Sequence, residues 1–334
     1  MDTLIAFTTT LSVFSVFSAL LVVIFFFLLR KYDRAVIDRV TMRLQLGIAI
    51  LDLITHNLNL SSSVKSESLC DTVAFLTMLF KHTYFGMNIS IALNLHLAII
   101  CSLKPTRRWE TFYWAFSIVI PLVLNIPLLV SGYFGRNSSG ICYFRDQTRT
   151  GSTLQLIYNA VICSITIGYC LVVSLMVVYK VKKEFYGLSS ESLTVPTDPR
   201  EKSSSLLDLR SLIFRTCLYP FSCFLAYIGA NVIVTYFFLF GTRPLVILYW
   251  GRAGYSSRGI LHLFSFMADP LVFKSLPNAI RARHRPIESQ PSKDSNSQHT
   301  SASCEFSYEN LINSSGDIYS SYYTRYISDF KRFI

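Results

Sequence analysis

Apolar runs of membrane-spanning length recur along this chain, and that recurrence constrains the fold more than any other property. Residues 4–29 (LIAFTTTLSVFSVFSALLVVIFFFLL) contain no charge, and similar runs occupy about 40–60, 70–100, 110–133, 153–181 and 210–240. A seventh begins between Pro244 and Ser256 and ends at Asp269-Pro270. At ~1.5 Å per residue, about twenty helical residues cross the ~30 Å of bilayer hydrocarbon. There every backbone polar group must be satisfied within its own segment, which selects helices for runs of this length. Of the 334 residues, 51% are hydrophobic and only 15% charged, well below the roughly 25% charge of soluble domains. The expectation is an all-α membrane protein. It comprises a seven-transmembrane helix bundle over 1–285 and a polar, disordered cytoplasmic tail over 286–334, with a short amphipathic helix expected near 274–284. The first run is too long, and too poor in preceding positive charge, to be a signal peptide, so it is read as a retained span.

The third run, CDTVAFLTMLFKHTYFGMNISIALNLHLAIICSLKP from Cys70 to Pro105, carries Lys81, His82, Tyr84 and Asn88 at its middle. Lipid does not accept such groups on an exposed face, so they point into the bundle or a wet cavity. This run is expected to be a central helix with neighbours all round.

The formal net charge is +11, and its distribution decides what it means. Lys and Arg crowd the connectors 30–43, 104–108 and 180–210 and the tail, whereas the intervening loops hold few. The positive-inside rule then places the N-terminus outside and the C-terminus in the cytoplasm. Basic connectors also attract anionic membrane lipid. No nucleic-acid-binding motif accompanies the charge, so nucleic acid is not an expected partner. The connector 184–209, rich in Ser, Pro and charge, is expected to be a flexible loop. Asn137-Ser138-Ser139 falls in an outer loop as a glycosylation sequon.

Of eight cysteines, five lie inside apolar runs, whereas Cys70 and Cys142 flank runs on the outer, oxidising side. A disulfide between them would pin the second outer loop over the bundle mouth; two free thiols are the other reading.

These residues carry a resemblance. A seven-helix chain with an outside N-terminus and this cysteine pair resembles the G-protein-coupled receptors. Asn94-Leu95-His96-Leu97-Ala98-Ile99 stands where rhodopsin-like receptors close the third helix with Asp-Arg-Tyr-Leu-Ala-Ile. Asp52 resembles that family's second-helix aspartate, and Asp269-Pro270-Leu271-Val272-Phe273 its seventh-helix Asn-Pro-x-x-Tyr motif. Leu218-Tyr219-Pro220 and Gly259-Ile260-Leu261 look more like fungal and amoebal receptors of the glucose-sensor and cyclic-AMP-receptor-like group. The resemblance implies a plasma-membrane, multi-pass signal transducer that binds an extracellular ligand and engages a heterotrimeric G protein.

Departures from the pattern are specific. The family's third-helix arginine is Leu95, and its acidic neighbour is Asn94. Arg107, Arg108, Lys182 and Lys183 are the basic residues left to contact a G protein. Asp52 and Asp269 are buried carboxylates that need a proton, an ion or a partner. With Asn94, Leu95, His96, Pro220, Pro270 and Phe273 they form the expected switch network, with sodium or water as its company; static hydrogen bonding is the other reading. Lys81 and His82 lie about three turns below Cys70, and Arg258 about three turns above Pro270. With Tyr84 and Tyr255 they form the expected site for an anionic or polar small molecule. The competing reading pairs Lys81 with Asp71 or another internal group and lets Arg258 reach the outer interface. No HExxH, GxSxG or phosphate-binding glycine loop is present, so neither an enzyme, a metal nor a cofactor is expected. A secondary transporter or a non-coupling seven-helix protein stands as the alternative, although the two halves show no internal repeat.

Overall fold

The structure, a computed structural model, describes residues 2–60, 66–101, 103, 107–137, 140–145, 149–191, 199–242 and 244–284. Chain order gives α1 (Asp2–Tyr32), a short α2 (Arg34–Ile37), α3 (Val40–Leu60), α4 (Glu67–Leu95) with a π turn (His96–Ile100), and α5 (Arg107–Val130). A hairpin of β1 (Phe134–Arg136) and β2 (Cys142–Phe144) follows. Then come α6 (Arg149–Gln155), a second π turn (Leu156–Val161), α7 (Ile162–Glu191), α8 (Pro199–Phe240), α9 (Leu245–Ser256), α10 (Arg258–Met267) and α11 (Pro270–His284). Residues 1–280 form one compact unit; of the unit from Arg281 onward, only the end of α11 is described. The expected disordered tail lies outside the described residues.

Among the described residues, five helices are long and apolar enough to cross a membrane: Ala6–Tyr32, Glu67–Ile100, Arg108–Val130, Arg149–Lys180 and Leu218–Phe240. Helix α3 falls short because Arg43, Gln45, Asp52 and His56 dilute its apolar run. The next run divides at Ser257 into α9 and α10, each too short to cross alone. Large apolar side chains such as Phe14, Phe17, Val123, Val130 and Leu175 lie exposed on the outward faces of α1, α5 and α7. Water would penalise such a belt and lipid tails would not. The chain is a helical membrane protein.

Helix α4 is the hub. In its most apolar stretch 61% of residues are buried, against 22–39% in the other four spanning helices. It packs on α3, α5, α7, α8 and both strands, whereas α1 packs on α3, α9 and α10. The principal core joins Leu44, Ile48 and Leu51 of α3 to Tyr84, Phe85, Met87 and Ile91 of α4 and to Cys223, Ala226 and Tyr227 of α8. At the other end of α4, Cys70, Val73, Ala74 and Met78 pack on Phe134, Cys142 and Phe144 of the hairpin.

Two expectations need correction. The loop over 184–209 is helical wherever it is described: α7 runs to Glu191 and α8 starts at Pro199, with 192–198 outside the described residues. Pro199 suits a first helical position, and a polar composition does not distinguish a loop from a polar helix. The chain is also not purely helical, because the outer connector pairs Phe134 with Phe144 and Arg136 with Cys142 as antiparallel strands. The amphipathic helix expected near 274–284 is present and starts earlier, at Pro270.

Helix α4 meets α5 through Gly86, where a Cβ would stand 2.8 Å from the Ser117 Cα. With little hydrophobic drive between helices in lipid, such small residues set the closeness of packing. Gly86→Leu is expected to destabilise the detergent-solubilised protein by about 1–3 kcal/mol, read as a lowered midpoint of thermal unfolding. Gly168→Leu, at a position with open space around it, is the control expected to leave the midpoint unchanged.

Candidate functional site

The centre of the bundle is built on one ion pair. Asp52, twelve residues into α3, meets the Arg258 guanidinium at the first turn of α10, and both side chains are at most 1% exposed. The break at Ser257 starts a new helix inside the bundle and so sets Arg258 at the level of Asp52. Arg258 Nη1 donates to the Tyr227 hydroxyl at 2.6 Å. The rings of Tyr84 and Tyr255 flank the guanidinium carbon at 5.0 and 4.9 Å. Aromatic faces in a dry site add to the attraction of such a cation. His262 Nε2 lies 3.8 Å from Asp52 Oδ2 and 2.9 Å from the Tyr84 hydroxyl. Helix α1 is tied to the same centre, since Gly259 N–H donates to Ser15 Oγ at 2.6 Å and that oxygen lies 2.9 Å from His56 Nε2. Six helices therefore meet at one buried charge pair.

This geometry redraws two expected sites. Arg258, Tyr84 and Tyr255, expected to face a ligand, are committed to Asp52 and to one another. Beside Asp52, where sodium or water is the expected company, the partner is the Arg258 guanidinium. Asp269 is fully buried too and sits immediately before α11, its carbonyl accepting from Phe273 N at 2.9 Å.

Lys81 and His82 lie on the hairpin side. Lys81 is 5% exposed and its Nζ donates to Asn159 Oδ1 at 2.5 Å, between the ring faces of Phe85 and Tyr227 at 5.7 and 5.6 Å. Asp71 is not its partner; Asp71 pairs with Arg145 at 3.2 Å. His82 Nε2 donates to the Tyr158 carbonyl at 2.9 Å, and its Nδ1 accepts from Asn125 Nδ2 at 2.8 Å, which fixes a neutral tautomer. Both acceptors come from the π turn Leu156–Val161, whose widened register takes carbonyl and side chain out of the ordinary helical ladder. Cys70 and Cys142 are joined by a disulfide. The bridge fixes β2 on α4 and brings the neighbouring Tyr143 hydroxyl to Asn159 Oδ1 at 2.5 Å. Asn137 is buried and its Oδ1 accepts from Ile141 N at 2.9 Å, so the expected glycosylation acceptor is engaged in the hairpin turn. Ser138 and Ser139 lie outside the described residues.

At the other end, Asn94 and Leu95 are buried, and Leu95 belongs to the principal core. His96 opens the π turn. That turn ends on a cation: Lys180 of α7 donates to the Ile99 carbonyl at 2.6 Å and the Ile100 carbonyl at 3.2 Å. A positive charge there satisfies carbonyls left open at a helix C-terminus. Arg43 of α3 forms an ion pair with Glu110 of α5 at 2.7 Å and donates one hydrogen bond to it, from Nη2 to Oε2 at 2.8 Å. Pro220 is buried inside α8, which continues through it, and Pro270 opens α11. Phe273 corrects an expectation: it is 68% exposed, because α11 turns Val272, Leu276 and Ala279 inward and Phe273, about a quarter turn away, lies outside that stripe. Arg108, Lys182 and Lys183 are exposed, while the Arg107 side chain lies outside the described atoms.

Sequence reasoning passed over Ser15, His56, Asn125, Asn159, Lys180, Tyr227 and His262 as functional positions. The signal for each is the same: a polar side chain within an apolar run must face a partner. Which partner it meets is not encoded in that signal.

Asp52→Asn leaves the Arg258 charge buried without its counter-ion and is expected to cost about 3–5 kcal/mol of stability. The double variant Asp52→Leu/Arg258→Met removes both charges and is expected to recover most of that loss. Thermal unfolding of the two purified variants beside the parent chain checks this coupling.

No protein-family model matches the chain, and no curated protein matches it in sequence.

Proposed function

We propose that this protein is a G-protein-coupled-receptor-like signal transducer of the plasma membrane. It crosses the bilayer seven times, with its N-terminus outside and its C-terminus in the cytoplasm. The five apolar helices are joined as spans by α3 and by the α9–α10 pair, whose Asp52, His56, Arg258 and His262 belong to the central charge cluster. The basic residues Arg43, Arg108, Lys180, Lys182 and Lys183 then fall on the cytoplasmic side, in line with the positive-inside rule.

The observation that carries the reading is the disulfide-held hairpin seated on the hub helix. A rigid outer cover on α4, polar residues directly beneath it and a central charge pair binding six helices form a continuous path from outside to the middle of the bundle. A ligand contacting Lys81 on the hairpin side would bias the packing of α4 on α8 through Tyr227, which touches both Lys81 and Arg258. Because interfaces of this kind repack between discrete arrangements, the cytoplasmic ends of α4, α7 and α8 are the moving parts of the proposed switch. The Lys180 bond to the end of α4 is the contact that such movement breaks.

One observation favours a second reading, a seven-helix membrane protein that does not couple. Leu95 stands in the apolar core where the resembled receptors carry an arginine for the G protein. The proposal assigns the coupling contact to Arg107, Arg108, Lys182 and Lys183 instead. The test is co-purification of the full chain with nucleotide-free heterotrimeric G proteins of its source organism, beside an Arg107→Glu/Arg108→Glu variant. A complex formed by the parent and lost in the variant is expected. No complex with any heterotrimer selects the second reading, and solute-flux assays then address transport.

A further inference from the structure

The donors and acceptors around Lys81 do not balance. A lysine ammonium has three N–H groups and a full charge. Here it is 5% exposed, its hydrogen-bond acceptor is Asn159 Oδ1, and among the described residues no carboxylate lies within 4 Å of it. The same Asn159 oxygen also accepts a hydrogen bond from the Tyr143 hydroxyl at 2.5 Å. One carbonyl thus serves two donors, while Asn159 Nδ2, on the same 2%-exposed side chain, has no partner. His82 contributes neither charge nor a spare donor, since both its ring nitrogens are engaged. The nearby guanidinium of Arg258 is already neutralised by Asp52. What is left over is one positive charge, the further N–H groups of the Lys81 ammonium and the unpartnered Nδ2 of the asparagine bonded to it.

We infer that Lys81, Asn159 and Tyr143 form an oxyanion site that takes a single carboxylate carried on a small molecule with an apolar or aromatic body. A carboxylate brings two acceptor oxygens and one negative charge, which match the spare Lys81 and Asn159 donors and the unneutralised ammonium. A doubly charged phosphate monoester would call for a second free cation. The walls next to the ammonium are the rings of Phe85 and Tyr227, which suit an apolar body. Tyr143 closes the outer side and is fixed there by the neighbouring Cys142 bridge. The inference deepens the proposed receptor reading, on which it rests for the side from which the ligand enters.

The experiment follows thermal unfolding of the full chain in detergent, with benzoate and hexanoate as probes and benzamide, hexanamide and inorganic phosphate as controls. Three proteins are compared: the parent, Lys81→Met and Asn159→Asp. The carboxylates are expected to raise the parent's midpoint saturably, the amides and phosphate to leave it unchanged, and Lys81→Met to abolish the rise. Asn159→Asp keeps the oxygen that accepts from Lys81 and Tyr143 and replaces the unpartnered nitrogen with a built-in anion. Its midpoint without probe is expected to rise by several degrees and to become insensitive to the carboxylates. Overturning results are no shift of the parent with either carboxylate, an equal shift in Lys81→Met, or a lower midpoint for Asn159→Asp. These readouts contain no G protein, so the site and the coupling proposal fail separately.

Discussion

The rest of this structure depends on the Asp52–Arg258 pair. Each member alone would be prohibitive at its depth, because charge taken out of water is costly unless it is paired and hydrogen-bonded. Together they set conditions on six helices. Helix α3 must present Asp52 inward, the chain must break at Ser257 so that Arg258 begins a helix at that level, and α4, α8 and α9 must supply the tyrosines that enclose the guanidinium. Helix α1 joins through Ser15, His56 and Gly259. In lipid, apolar surface gives little drive for helices to associate, so polar ties and small-residue contacts such as Gly86 on Ser117 carry much of the specificity.

Around that centre the molecule is organised in layers along α4. The hairpin is bonded to its beginning through Cys70, the Lys81–Asn159–Tyr143 group lies beneath, the charge pair lies at its middle, and Lys180 closes its last carbonyls. The two π turns stand at two of these layers. One delivers Asn159 and the Tyr158 carbonyl to Lys81 and His82; the other offers the Ile99 and Ile100 carbonyls to Lys180. Departures from regular helix geometry thus fall where polar groups of different helices must meet, which is the usual place for them.

Much of this was legible in the residues. Spanning runs, the central role of the Cys70–Ile100 segment and the positions of Cys70 and Cys142 follow from apolar length, from polar residues inside it and from flanking charge. The site was legible only as an inventory. Lys81, His82, Tyr84, Tyr255 and Arg258 stand out because charged and polar groups are expensive within a membrane. That rule does not say that Arg258 belongs to Asp52 while no carboxylate among the described residues lies within 4 Å of Lys81. The hairpin was hidden because three-residue strands leave no periodicity, and the helical ends over 184–209 because polar composition is shared by loops and polar helices.

By itself, then, the sequence determined that this chain is a helical membrane protein, that five of its described helices are long and apolar enough to span, and which side chains must find polar company. Those are properties of each segment against its solvent, and length and composition settle them. The tertiary structure alone decided the pairing. Asp52 and Arg258 are two hundred residues apart, and Lys81 and Asn159 nearly eighty, on helices whose rotation and depth are set by packing against all their neighbours at once. A segment's own residues say that a charge is buried; only the assembled bundle says whether a counter-charge is waiting for it.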